Sequence, residues 1–158
     1  MNDIPEWIKE KNEQKKEHKA MADRQAERSL ERSAMFTAQG PEVWQRFVNA
    51  LKLNADALSK LEGDELFGAA SPIGTPPISC QVNVNRQSVK RGPKLTQLVF
   101  HFATRAPDVI RVTPHSGPDE FLQLTIGTDN KVGVDSHTPE KMAENIIRKM
   151  AEEALPSR

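Results

Sequence analysis

Only one cysteine, Cys80, occurs in the chain, so an internal disulfide is excluded. Its place in an apolar alternation suits a buried thiol, and the lack of disulfides fits a reducing compartment. Tyrosine is missing altogether and aromatics make up 5% of the residues. A reader of single-stranded nucleic acid needs stacking rings on an exposed face, and this chain has few to offer. The 22 basic and 22 acidic side chains cancel, so the molecule as a whole has no electrostatic pull toward nucleic acid or a membrane surface. No apolar run approaches the roughly 20 residues of a membrane span. The opening Met1-Asn2-Asp3-Ile4-Pro5-Glu6 has no basic patch leading into an apolar core, so no secretory signal is expected. These absences together predict a soluble, cytoplasmic protein.

The signatures of catalysis are equally sparse. Gly63, Gly68 and Gly74 do not form the strand-to-helix turn of a phosphate-binding loop. His18, His101, His115 and His137 lack the close spacing of a zinc site, and strand parity puts Cys80 on the opposite face from His101. Asp119, Glu120 and Asp129 lie beside Pro or Asn, where acidic residues serve turn geometry. We therefore expect no catalytic residues, no metal, no cofactor, and a non-enzyme.

What the chain does contain is period-two patterning over residues 79–134. Cys80, Val82 and Val84 alternate with Gln81, Asn83 and Asn85; Leu98, Phe100 and Phe102 alternate with Gln97, Val99 and His101. Ile110 and Val112 flank Arg111, Leu122, Leu124 and Ile126 flank Gln123 and Thr125, and Val132 and Val134 flank Gly133. Such alternation predicts a five-stranded antiparallel meander with one dry face. Helices must cover that face. Residues 42–62 carry Val43, Trp44, Phe47, Val48, Leu51, Ala55, Leu58 and Leu61 at threes and fours, with Gly63 as a stop. Residues 139–155 carry Met142, Ala143, Ile146, Ile147, Met150 and Ala154, with Thr138 as N-cap and Pro139 at the first helical position. The fold class is thus α+β, the sheet roofed by one helix before it and one after it.

Two stretches stand outside this unit. Residues 68–78 hold three prolines, two glycines and no charge, which predicts a loop. Residues 1–39 form a charged helical arm, separated by the Gly40-Pro41 breaker from an α+β domain spanning 40–155. No apolar residue falls between Ile8 and Ala20, so a heptad seam cannot be drawn there. The spacings Glu6/Lys9, Glu13/Lys16, Arg24/Glu27 and Arg28/Glu31 offer weak i,i+3 support of about 0.2–0.5 kcal/mol each. Farther along, Ala22, Ala26, Leu30 and Ala34 make a narrow ridge able to lie close against another helix.

Candidate binding residues follow from what the fold leaves over. Ile4, Trp7 and Ile8 form an apolar tip on an otherwise wet helix, a candidate anchor for a protein partner or a second copy. Charge is uneven although it sums to zero: residues 79–113 carry +5, including Lys90, Arg91, Lys94 and Arg111. That region is a candidate anion site, but lysines beside strands also serve to discourage edge pairing. The expectation is a non-enzymatic protein-interaction or oligomerisation module acting through the N-terminal helix. The alternatives are weak anion or nucleic-acid binding through residues 86–111, or a ligand pocket between sheet and helices. Nucleic acid is the less favoured partner, and no membrane partner is expected.

Overall fold

A computed structural model describes residues 4–60, 66–86 and 94–154. The chain divides into two compact units, Met1–Met35 and Phe36–Arg158. Helix α1 runs from Glu6 to Leu58. Strands β1 (Leu66–Ile73), β2 (Ser79–Arg86), β3 (Lys94–Phe102), β4 (Val109–Pro114), β5 (Glu120–Ile126) and β6 (Val132–Val134) follow, and helix α2 (Pro139–Ala154) closes the chain. The class is α+β, with an antiparallel sheet in which the strands lie in sequence order, β1 to β6.

Parity decides the sheet. Cys80, Val82, Val84, Phe100, Phe102, Ile110, Val112, Leu124, Val132 and Val134 are all buried, on the face predicted to be dry. Val43, Trp44, Phe47, Val48, Leu51 and Ala55 of α1 are buried, and so are Ala143, Ile147, Met150 and Ala154 of α2. Aromatic rings lock α1 to the sheet: Trp44 stacks on Phe102 at 5.5 Å, and Phe47 meets Phe100 edge-on at 5.4 Å. The expected cap is present, the Thr138 hydroxyl accepting from the Lys141 amide at 3.2 Å. Arg86, buried at the end of β2, donates to the carbonyl of Ala154 at 3.0 Å and so satisfies the last turn of α2.

Three expectations need correction. The sheet has six strands, not five, because Leu66–Ile73 is a strand rather than the start of a loop. It pairs with β2 along its whole length, Leu66 opposite Arg86 through Ile73 opposite Ser79. Pro72 is tolerated there because β1 is an edge strand, where a missing N–H breaks no ladder bond. Secondly, Gly40-Pro41 does not break the helix, and Pro41 lies inside α1. An interior proline costs about 3 kcal/mol. Here Phe36, Gly40, Val43, Trp44 and Phe47 form one buried stripe across it, and tertiary packing outweighs the local signal. Gly40 is part of the reason: a Cβ there would stand 3.2 Å from Pro107 Cβ and 3.4 Å from the Phe102 ring. Thirdly, none of the four charge spacings in the arm closes into an ion pair, and the ion pairs among the described residues all involve α2. Exposed pairs gain too little to hold two long side chains in one geometry.

Helix α1 and Ser59, the residue just after it, guard both edges of the sheet. At the β6 side, the Val132 amide donates to Gln39 Oε1 at 2.9 Å, and Gln39 Nε2 donates to the carbonyl of Asn130. At the β1 side, the Ser59 hydroxyl accepts from the Gly68 amide at 3.0 Å and donates to the Gly68 carbonyl at 3.1 Å. Residues 39 and 59 are about 30 Å apart along a helix, and five inter-strand spacings take about 24 Å. One helical segment thus crosses the sheet and occupies outward-facing backbone groups at either margin, which would otherwise recruit another strand.

Candidate functional site

The first unit holds the predicted partner-binding tip. The amides of Ile8 and Lys9 both donate to the carbonyl of Pro5, so the helix begins there, and Ile4, Trp7 and Ile8 share one side of its first turns. Trp7 is 62% exposed and Ile4 51%, while Ile8 is half-buried. From Lys9 to Ala34 every side chain is exposed, including the ridge residues Ala22, Ala26 and Leu30.

The predicted anion set does not converge in the described part. Lys90 and Arg91 lie outside the described residues. Lys94 opens β3, paired with Arg86, whereas Arg111 pairs with His101 near the other end of that strand. Seven residues of strand separate Lys94 from His101, about 23 Å. Arg86, counted in the same basic region, is buried and serves the end of α2.

Arg111 belongs instead to a different grouping, on the face of the sheet that the helices do not cover. The register places Ile73, Ser79, His101, Arg111 and Phe121 in one row running across five strands. Ser79, His101, Arg111 and Phe121 line a cleft of about 420 Å³ together with Ile78, Phe102, Ala103, Ala106 and Val109. Arg111 is exposed and makes no ion pair among the described residues. Desolvation holds His101 below the usual imidazole value, the neighbouring Arg111 charge adds to this, and Asp119 opposes it. The imidazole is therefore mostly neutral at pH 7. Parity in the sequence turns His101 and Arg111 outward; that they stand side by side, with Phe121 next in the row, is a matter of register, which alternation alone does not fix.

A second concavity lies on the dry side. Leu98, Val112 and Leu122 from the sheet and Met142, Ile146 and Met150 from α2 line an apolar groove of about 380 Å³, with Glu120, Lys149 and Glu153 also at its walls. It occupies the position foreseen for a ligand pocket between sheet and helix. Thr96 and Asn145 complete its polar rim.

The thiol offers little chemistry. Cys80 is buried, and desolvation pushes its pKa up to about 11 against a backbone hydrogen bond from Ser71. Among the described residues no three His, Cys, Asp or Glu side chains gather as a metal would require, and no helix is long and apolar enough to cross a membrane. Comparison with protein-family models, with curated proteins and with solved structures finds no match to this chain.

Proposed function

We propose that this protein is a non-enzymatic interaction module that self-associates through its helical arm, with Ile4, Trp7 and Ile8 as the anchor and Ala22, Ala26 and Leu30 as the close-packing ridge. One observation carries this reading: the chain is helical from Glu6 onward, yet every side chain from Lys9 to Ala34 is exposed. Helices in proteins owe most of their stability to a packed face, and this stretch has none within its own unit. Exposed tryptophan is the residue type most often found to anchor a protein contact. A second copy is the favoured partner because residues 1–39 hold eight basic and eight acidic side chains, interspersed along the helix. A neutral, alternating surface complements itself, whereas a strongly charged partner would gain nothing from it.

Removing residues 1–35 tests the assignment. The remaining chain is expected to keep the urea midpoint of the whole protein and to lose concentration-dependent association. A fall of more than about 1 kcal/mol in unfolding free energy would make the arm part of the fold rather than a contact element. A second reading, capture of an apolar ligand in the groove between α2 and the sheet, draws support from the groove lined by Leu98, Leu122, Met142 and Ile146. It predicts that Ile146→Trp, which fills the groove, abolishes binding of an apolar fluorescent dye without changing association.

A further inference from the structure

We propose that the cleft on the uncovered sheet face is a binding site for a small organic anion, a carboxylate with a flat apolar body, held by Arg111 and His101 and laid against Phe121. This does not rest on the arm. Three features of the cleft converge on that chemistry.

The first is unbalanced charge. Arg111 stands between His101 and Phe121 in the cross-strand row, and no carboxylate lines the cleft. Across an antiparallel pair an opposite charge is what ordinarily stabilises a guanidinium, and the neutral imidazole opposite Arg111 supplies none. An unpaired guanidinium offers several N–H groups in a planar fork that matches a carboxylate in bidentate fashion. The neighbouring imidazole and the Ser79 hydroxyl add further polar atoms on the same row.

The second is the apolar remainder. Ile78, Ala103, Ala106 and Val109 complete the wall, and Phe121 leaves 57% of its surface open although it sits on a strand. A few convergent polar groups set in a mainly apolar wall are the usual make-up of a small-molecule site, and a volume of about 420 Å³ falls within the usual range. The third is position. Ile78 comes from the β1–β2 turn, and Ala103 and Ala106 from the β3–β4 turn. The Phe102 amide, at the end of β3, donates to the Ile78 carbonyl at 3.0 Å and ties the β1–β2 turn to that strand. The cleft is thus framed by paired strands and by a turn bonded to the end of β3, which keeps the ordering cost of binding low.

Benzoate and inorganic phosphate are suitable probes, added to the full chain while the His101 ring resonances are followed by NMR. Benzoate is expected to shift them in a saturable way. Arg111→Gln should weaken that binding about tenfold or more, with the rest of the spectrum unchanged. Phe121→Ala should weaken benzoate and leave phosphate unaffected, since only benzoate carries a body to lay on the ring. Absence of a saturable shift, or benzoate binding that survives Arg111→Gln, overturns the site. Equal effects of Phe121→Ala on benzoate and phosphate overturn the assignment of an organic ligand. Arg111→Lys separates charge from fork geometry: recovery of less than half the lost affinity supports bidentate holding, and full recovery contradicts it.

Discussion

At Gly68 the edge strand comes close against the backbone of α1. A Cβ built there would lie 2.4 Å from the Ala55 carbonyl oxygen, a backbone atom of α1 that has nowhere to go. Gly68→Ala must therefore push the helix off the edge strand and break the Ser59 hydrogen bonds. Chemical denaturation should show a loss of about 2–3 kcal/mol or more. Cys80 makes a prediction of the opposite kind, in which nothing moves. Its thiol stays protonated in the folded state up to about pH 11, while the unfolded chain releases the proton near the ordinary value of 9.0. Stability is thus full below pH 9 and is lost as the pH rises toward 11. Compared with Cys80→Ala, the wild type should lose about 1–3 kcal/mol over that window. The sequence made Cys80 legible as a buried thiol, because parity alone assigns its face. It left Gly68 illegible, because close approach between elements is a property of packing.

At the scale of elements, the alternating runs, the amphipathic second half of α1 and the Thr138 cap could all be read from periodicity and end chemistry. β1 could not. Its composition, Leu-Phe-Gly-Ala-Ala-Ser-Pro-Ile, has glycine and proline where strand formers would sit, and only its place at the sheet edge makes them harmless. The Gly40-Pro41 pair misled for a related reason: local chemistry says break, and a buried stripe on both sides holds the helix together. Pro41 is exposed, so its ring buries little in return for its missing N–H. Pro41→Ala should therefore raise the unfolding free energy by about 1–3 kcal/mol, read by thermal or urea denaturation, and a loss would show that the proline ring is needed for docking. The two helices are joined by Arg46 and Glu140, whose groups meet twice, at 2.7 and 2.8 Å. The Arg46 hydrogen bond holds the Glu140 carboxyl below its usual value, so the pair stabilises above the ordinary carboxylate range and fades as pH falls through the lowered value. Both groups are about half exposed, which limits the effect to about 0.5–1 kcal/mol. Arg46→Gln should lower stability by that amount at pH 7 and by nothing at strongly acid pH.

Across the whole molecule, one unit is built to fold and the other leaves its surface open. Residues from Phe36 onward bury a core between sheet and helices and occupy backbone groups at both sheet edges with Gln39 and Ser59. The arm has the reverse character, wet and neutral apart from a few apolar positions at its tip and along its ridge. That contrast was visible in the sequence, since the arm lacks apolar residues from Lys9 to Lys19. The cleft at Arg111 was not, because it depends on which strands neighbour one another. The proposed self-association through the arm is read most simply by light scattering across a dilution series. The mass is expected to approach twice 17.7 kDa at high concentration, returning to the single-chain value when Trp7→Asp and Leu30→Asp are introduced together. A mass of one chain at every concentration, or a double mass that survives both substitutions, would contradict it.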